Sequence, residues 1–512
     1  MIMGIYDNII VGFGAVLSWQ NLLFCFAGVF IGTLIGVLPG LGPVATISLL
    51  LPASFSMPPL GSIIMLCGVY YGAMYGGSRT SILLNIPGEA AAIVTCLDGY
   101  PMARKGRAGP ALGMAAFASG IGTTLGVLML MLFAPILAKG ALKFGSTENF
   151  ALMVFGLTMV AYMAMGSVVK AIIMATAGVA AATVGLDPMT GGTRFTMDSI
   201  TLMDGLGIVP AAMGMFGIGE ILLEIEGNIK EQSFSGHIKG LYPTIKDWIR
   251  CKWSILRGTI IGFFVGVLPG GGTVVPTFMS YATEKRMSKH PEEFGHGAIE
   301  GVAGPEAANN AASAGSLVTL LSLGIPANIV MAVLLGGFVI HGIQPGPLLM
   351  VSQPEIFWGT VCSMYIGNIM LIILNVPMVG LWVQLLKIPF KLLFPLILIL
   401  CFLGVYSLNL NANEILIMIC FGIFGYFTKK FGYEGAPFLL GMVLGPLLEN
   451  AFRQSMALGS DLTIFFRRPI SAVLISASLI LLAISLFPKI KGKRKEVAKK
   501  ILEEHPEAEY EE

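Results

Sequence analysis

The feature that most constrains this chain is the near absence of charge over very long stretches. Residues 9–86 carry one formal charge, Arg79, and residues 338–386 carry one, Glu355. A helix crosses the hydrocarbon core with about 20 apolar residues, so each stretch is long enough for several crossings. Only 12% of the 512 residues are charged, against about 25% in soluble domains. The sequence therefore predicts an all-α polytopic membrane protein of roughly 10–12 transmembrane helices.

An internal repeat divides the chain into two halves. Residues 28–42 and 258–272 are identical at nine of fifteen positions, with a constant offset of 230. Glycine recurs every fourth residue in both copies, at Gly28, Gly32, Gly36 and Gly40 and at Gly258, Gly262, Gly266 and Gly270. This spacing places the glycines on one helix face, where a neighbouring backbone can approach closely.

Each half is also interrupted twice. Pro39 and Pro269 follow the glycine stripes, and proline cannot continue a helical hydrogen-bond ladder. As a single helix, residues 21–51 would be about 46 Å long, far more than the hydrocarbon thickness of about 30 Å. Further breaks are predicted at residues 85–88 and 324–328. Interrupted segments at corresponding places in two halves are typical of transporter binding sites, formed by broken helices or re-entrant hairpins.

Loop charges predict that the two repeats have inverted topology. Residues 52–61 are uncharged, whereas the equivalent residues of the second half, 284–289, include three basic residues and one acidic residue. After the second break the pattern reverses, because residues 104–107 are basic and residues 341–347 are uncharged. Short basic loops stay in the cytoplasm, so equivalent loops are expected on opposite sides of the membrane.

The same charges suggest a domain organisation. We expect a first membrane repeat at 1–224, a cytoplasmic linker at 225–252, a second repeat with additional C-terminal helices at 253–488, and a charged cytoplasmic tail at 489–512. The predicted location is the cell (inner) membrane, as a multi-pass protein. Between Lys429 and Arg468 the charges leave the crossings open.

Glycines and neutral polar residues at the breaks are the candidate substrate ligands. They are Gly40, Gly42, Ser78, Arg79, Thr80, Ser81, Asn85, Pro87, Gly270, Gly271, Gly272, Thr273, Asn309, Asn310, Ser313, Pro326 and Asn328. Half-helix N-termini present partial positive charge and free N–H groups, while unwound carbonyls can hold Na⁺. Such a site favours a carboxylate transported together with cations.

Two charged residues inside the apolar segments allow alternatives, because intramembrane charge is costly and usually functional. Arg79 is either a counter-charge for a substrate carboxylate or a side chain that snorkels to an interface. Glu306 is either a coupling site for Na⁺ or H⁺ or a buried acid held by helix N–H groups. Asp98, Glu89 and Glu284 lie near loop ends and are expected to be solvated.

The usual enzymatic motifs are missing from the sequence. It contains no G-x-x-x-x-G-K-[ST], no H-E-x-x-H and no G-x-S-x-G. We therefore expect no catalytic residues, no metal and no cofactor, with transport driven by an ion gradient or by a partner's ATPase. The alternatives are a membrane-embedded enzyme acting on a lipid-linked substrate and a passive anion channel.

Two long blocks, residues 70–108 and 300–328, strongly resemble the large membrane subunit of the tripartite tricarboxylate transporter family, and the likeness extends over about residues 10–488. Two residues depart from that pattern, Arg79 in place of a small hydroxyl residue and Ala327 in place of glycine. An arginine there would alter the charge preference of a nearby site, so citrate is not assumed as the substrate.

The resemblance implies a function and partners that the residues alone do not. It implies uptake of citrate or other di- and tricarboxylates, coupled to Na⁺ or H⁺. For the alternating access, the paired hairpins favour an elevator-type movement over a rocking one. The resemblance also implies a small membrane subunit of about four helices and an extracytoplasmic solute-binding protein as partners. Besides these, the expected contacts are membrane lipid and the carboxylate itself, with no nucleic acid.

Overall fold

In a computed structural model the chain is almost entirely helical, and the structure describes residues 5–38, 42–163, 167–187, 189–226, 240–270, 272–385, 390–459 and 461–486. The helices of the first half are α1 (Ile5–Val16), α2 (Trp19–Val37), α3 (Pro43–Ser54), α4 (Pro59–Leu84), α5 (Ile93–Met102), α6 (Ala108–Ala141), α7 (Ser146–Met163), α8 (Val168–Ala181), α9 (Ile200–Met203), α10 (Ile208–Ala212) and α11 (Gly219–Glu226). Short 3₁₀ turns occupy Ala90–Ala92 and Pro291–Glu293, and π-helical turns occupy Ala103–Arg107 and Met213–Ile218.

The second half continues in the same manner. Its helices are α12 (Ile245–Val267), α13 (Val274–Met287), α14 (Glu300–Leu323), α15 (Ile329–Ile340), α16 (Leu349–Ser352), α17 (Pro354–Asn375), α18 (Val379–Leu385), α19 (Phe390–Asn409), α20 (Ala412–Lys430), α21 (Gly435–Leu458), α22 (Ile464–Arg467) and α23 (Pro469–Leu486). One antiparallel hairpin, β1 (Gly185–Leu186) and β2 (Thr193–Arg194), interrupts the described helices.

Within the described residues, six helical segments are long and apolar enough to cross a membrane. They are Trp19–Val37, Pro59–Leu84, Ala90–Ala141, Pro354–Asn375, Ala412–Lys430 and Gly435–Leu458. Five shorter apolar helices accompany them, among them α3, α8 and α15. The predicted all-α polytopic fold is confirmed, while the count of 10–12 crossings stays a prediction.

Two helices form the centre of the molecule. In α4 every residue from Leu60 to Leu84 is buried, and in α14 every residue from Glu300 to Ser322 is buried. Both are rich in glycine, alanine and serine, so neighbouring helices can approach them from all sides. The two helices occupy corresponding places in the repeat, since each leads into an Ile-Pro break.

The glycine stripes pack against these central helices at backbone distance. A Cβ on Gly28, Gly32 or Gly36 of α2 would lie 2.2–2.4 Å from a carbonyl oxygen of α4. The stripe on α12 meets α14 identically, with 2.2 Å at Gly258, 2.2 Å at Gly262 and 2.4 Å at Gly266. Both stripes therefore require glycine because of the same helix contact, repeated in each half.

The predicted breaks are present in both halves. Helix α2 ends at Val37 and α3 begins at Pro43, with residues 39–41 outside the described part. At the second breaks α4 ends on Asn85 with φ 59° and α14 ends on Gly324 with φ 72°. Both residues adopt the left-handed conformation that terminates helices, which asparagine and glycine tolerate best.

The segment between the halves is described only in part. Residues 227–239 lie outside the described residues, and α12 begins at Ile245, behind a capping box formed by Thr244 and Asp247. The last residues of the predicted linker thus belong to a helix of the second half. Residues 487–512, including the predicted tail, also lie outside the described part, and the domain boundaries stay a prediction.

The β-hairpin is fixed by an ion cluster that joins both halves. Arg194 pairs with Asp187 at 2.5 Å and with Glu449 of α21 at 2.9 Å, and Arg453 bonds to the same two carboxylates. The Arg194 guanidinium holds the pKa of the Asp187 carboxyl well below its usual range. The hairpin is therefore tied to α21 by paired charges.

Candidate substrate cavity

A cavity of about 580 Å³ lies where the broken segments of both halves meet. Its wall includes the first residues of α3, of the Ala90–Ala92 turn, of α13 and of α15. Each of these elements starts directly after one of the four predicted breaks. The N-terminal ends of four helical segments therefore converge on one space.

This convergence determines the electrostatics of the cavity. Free backbone N–H groups and about half a positive charge lie at each helix N-terminus, which favours anions. Much of the remaining wall is apolar, including Met74, Val160, Phe216 and Leu440. Four charged side chains line the cavity, namely Glu89, Glu220, Glu434 and Lys429, and Lys429 pairs with Glu220. The ionisable side chains are thus net negative while the helix ends are positive.

Two hydrogen-bonded contacts connect the halves beside the cavity. The Asn328 amide nitrogen donates to the Tyr70 hydroxyl of α4 at 3.3 Å and to the Ser316 hydroxyl of α14 at 3.0 Å, while its oxygen caps α15 by accepting from the Met331 N–H. On the opposite side, the Asn309 amide nitrogen of α14 donates to the Glu89 carboxylate at 2.7 Å. Each half therefore supplies one residue after its break and one residue on its central helix.

The structure places part of the predicted site in the cavity wall. The predicted residues that line it are Gly42, Pro87, Gly270, Gly272, Thr273 and Asn328. Gly40 and Gly271 lie outside the described residues. Asn309 reaches the wall through Glu89. The role of all of them in substrate binding stays a prediction.

The other predicted site residues are not brought to this wall. They are Ser78, Arg79, Thr80, Ser81, Asn85, Asn310, Ser313 and Pro326. Several hydroxyls and amides bond within their own helix, as Thr80 and Ser81 do to the Gly77 carbonyl and Ser313 does to the Asn310 carbonyl. This local bonding is common for serine and threonine in helices, and it leaves these side chains inside the helix contacts.

Glu306 and Arg79 belong to a separate buried cluster. The Glu306 carboxylate accepts hydrogen bonds from the hydroxyls of Ser78, Thr95 and Ser119. One prediction was a buried acid held by helix N–H groups. The donors to Glu306 are side-chain hydroxyls instead. The Arg79 guanidinium donates to the carbonyls of Tyr75 and Asn375. Arg79 is only 3% exposed, so the alternative in which it snorkels to an interface is wrong.

Two of the three acids expected to be solvated are buried, which corrects that expectation. Asp98 accepts from the backbone N–H groups of Gly295, Gly297 and Ala298, and a nest of amides compensates its charge. Glu284 is paired with Arg257. The third, Glu89, lies in the cavity wall.

Sequence reasoning missed Glu89 although a signal was present. Counted from the two Ile-Pro steps, Glu89 and Asn328 occupy the same position in the repeat, and Tyr70 and Asn309 likewise correspond. Aligning the breaks residue by residue would therefore have placed Glu89 with Asn328. The wall contributed by α11, α20 and α21 has no equivalent pattern, so its residues gave no signal.

The sequence is similar to one protein family and to two proteins of one organism. The profile of the tripartite tricarboxylate transporter TctA family matches residues 22–440. An uncharacterised 52.8 kDa protein in the TAR-I ttuC′ 3′ region of Agrobacterium vitis is 48% identical over 496 residues, which cover 97% of this chain and 99% of that protein. A second uncharacterised protein of that organism, in the TAR-II ttuC′ 3′ region, is 52% identical over 237 residues, 46% of this chain and 98% of that protein. No solved structure matches the chain significantly.

Proposed function

The chain belongs to the tripartite tricarboxylate transporter TctA family, and from that membership we propose that it imports organic di- or tricarboxylates by ion-coupled alternating access. As a subunit of a tricarboxylate transporter it needs a binding site for an anion inside the membrane. The observation that carries the proposal is the convergence of four helical N-termini on one cavity of about 580 Å³. Backbone N–H groups at such ends bind carboxylates without a basic side chain.

Cation coupling is supported by the charges of the wall. Three glutamates and one lysine face the cavity among the described residues, so a multiply charged anion enters a site whose side chains already repel it. At an effective dielectric constant of about 20, two like charges about 5 Å apart repel by roughly 3 kcal/mol. Binding H⁺ or Na⁺ together with the anion removes part of this repulsion and couples the two species.

Alternating access is supported by the way the cavity is assembled. Two of the converging segments come from each half, so a displacement of one half against the other would open or close the site. We propose that the repeats are inverted, so that such a displacement exposes the same site to the opposite side of the membrane. An elevator-type movement of the paired broken segments is our expectation for the form of this displacement.

Two partners complete the proposed system. Membership of a tripartite transporter family supports a second, small membrane subunit and an extracytoplasmic binding protein that delivers the carboxylate. With such a binding protein, the specificity of uptake depends first on what that protein binds. The membrane cavity then needs to recognise the class of anion rather than one compound.

Uptake of labelled succinate, malate and citrate in cells that express this chain with its two partners tests the proposal. Uptake should saturate, and it should respond to an imposed Na⁺ or pH gradient. Ala436 lines the cavity, so Ala436→Trp should fill part of it and abolish uptake. The control Ala483→Trp, on the exposed side of α23, should leave uptake unchanged. Absence of carboxylate uptake under every gradient would remove the proposal, and conductance without saturation would indicate an anion channel.

A further inference from the structure

Glu89 and Asn328 have the same structural position but different chemistry. Each follows an Ile-Pro break, lines the cavity and contacts the central helix of the opposite half. Asn328 forms hydrogen bonds through both ends of its amide. Glu89 is instead an acid that directly precedes the Ala90–Ala92 turn, with its side chain over Gly77, whose added Cβ would meet the Glu89 Cγ at 2.7 Å.

The partner of Glu89 can satisfy both protonation states of the acid. The Asn309 nitrogen donates to the Glu89 carboxylate at 2.7 Å, as suits an ionised acid. The Asn309 oxygen is buried and has no hydrogen-bond partner in the described part of the chain. A half-turn of this amide would present that oxygen to a protonated Glu89, whose O–H then donates to it. Glu89 and Asn309 can therefore keep a hydrogen bond to each other both before and after the acid takes up a proton.

Other ionisable groups near Glu89 are already engaged. Glu306 on α14 accepts three hydroxyls, Arg79 on α4 is held by two carbonyls, Asp98 on α5 is held by backbone amides and Glu284 on α13 is paired with Arg257. At the cavity itself Glu220 is paired with Lys429, and Glu434 directly precedes α21 rather than one of the breaks. The Tyr70 hydroxyl accepts from Asn328. Glu89 is thus the acid that lies directly at the break and contacts both halves.

We propose that Glu89 is the proton-binding group of the transport cycle, taking one proton from solution when a carboxylate occupies the cavity and releasing it when the anion leaves. This inference rests on the proposed carboxylate transport. A proton suits the site better than Na⁺, because the groups that surround the carboxylate, Asn309 and the Ala91 backbone, face it with N–H donors. A sodium ion would require several oxygen ligands in their place.

Proton uptake on binding is the direct test. The full chain in lipid nanodiscs is titrated with citrate and with succinate in Na⁺-free buffers of two different ionisation enthalpies, between pH 6 and pH 8. About one proton should be taken up per bound anion. At pH values at which Glu89 is ionised before the anion binds, the Kd for the anion should rise about tenfold per pH unit. Adding Na⁺ should leave the Kd unchanged.

Variants of the acid and its partner complete the test. Glu89→Gln imitates the protonated acid, so it should bind the anion at all pH values with no proton uptake, which also shows that it folds. Glu355→Gln, at an exposed carboxylate of α17 that does not line the cavity, should keep the proton uptake. If Glu89→Gln does not fold, Asn309→Ala replaces it, and loss of the amide donor should raise the midpoint of the pH dependence.

The outcomes separate this inference from the proposed function. Anion binding with unchanged proton uptake in Glu89→Gln, or an unmoved midpoint in Asn309→Ala, overturns the role of Glu89 and leaves carboxylate transport standing. Binding that requires Na⁺ and takes up no proton overturns it as well. Failure of the unmodified chain to bind any carboxylate under these conditions overturns both.

Discussion

The two halves contribute the same scaffold to the cavity but not the same chemistry. Glycine stripes on α2 and α12 lie against α4 and α14 at equivalent positions, with nearly equal close approaches. The contacts across the cavity are equivalent too, but one joins Asn328 to Tyr70 and the other joins Asn309 to Glu89. Packing is therefore duplicated, because any departure from glycine would separate the helices, while side chains that face the cavity are free to differ.

The glycine contacts that hold the helices together are the same in both halves, whereas the side chains that face the cavity differ. A cavity with two amide contacts would hold an anion with no means of changing its own charge. The acid in one half gives the site a group that can be neutralised when the anion binds. The following predictions test first the shared scaffold and then the differing contacts.

The largest effect is expected from enlarging a glycine of either stripe. Gly32→Leu and Gly262→Leu place a side chain where even a Cβ would lie 2.4 or 2.2 Å from a backbone oxygen. Each should destabilise the fold by about 3 kcal/mol or more, and by similar amounts in the two halves. Thermal unfolding in detergent measures this, with Gly140→Leu as the control, because no atom lies within 4 Å of the Cβ position there. A large loss in one half only would contradict equivalent packing.

The proposed inversion of the halves predicts an all-or-none difference in labelling. In a Cys420→Ser background, which removes the exposed cysteine, Ser56→Cys and Lys289→Cys should react with an impermeant maleimide from opposite sides of the membrane. Both positions are exposed in the loops that follow the first breaks. Reaction of both from the same side would show that the repeats are parallel.

Making the two cross-cavity contacts more alike should weaken anion binding. Asn328→Asp keeps the cap on α15, because an aspartate also accepts from the Met331 N–H. It adds a negative charge to the wall, so the Kd for citrate at pH 8 should rise about tenfold or more. Binding measured by titration calorimetry checks this, with exposed Asn413→Asp as the control. An unchanged Kd would mean that Asn328 does not face the bound anion.

The smallest effect is expected from Tyr70→Phe. The hydroxyl accepts one hydrogen bond of 3.3 Å from Asn328, and hydrogen bonds between membrane helices contribute about 0.6 kcal/mol on average. Both stability and citrate affinity should change by less than about 1 kcal/mol. A large loss of affinity would mean that the Tyr70 hydroxyl binds the anion. The Asn328–Tyr70 contact would then take part in binding and would differ less from the Asn309–Glu89 contact.

The positions of the helix contacts and helix ends were predictable because glycine and proline affect the backbone in few, well-defined ways. Glycine every fourth residue, Leu-Pro-Gly and Ile-Pro breaks have few structural meanings, and the structure places helix contacts and helix ends at them. Asn85 and Gly324 illustrate this, since both end a central helix in the left-handed conformation.

Which side chains face the cavity was much less predictable. Helix α4 is buried on every side, so it has no polar face to indicate the direction of Ser78 or Arg79. Arg79 was singled out for its charge, yet backbone carbonyls hold it away from the cavity wall. Glu89 was judged by its distance from a loop, whereas its position in the repeat was the better guide.

The burial of α4 also has a consequence for how the protein is made. Ser78 donates to Glu306, which is 228 residues further along the chain. At about 5–20 residues per second, roughly 10–45 s of synthesis separate the two partners. During that time the side chains of Ser78 and Arg79 in α4 lack these neighbours, because the helices that supply them have not yet been inserted. Ser78 and Arg79 therefore obtain their partners Glu306 and the Asn375 carbonyl only after α14 and α17 have been synthesised.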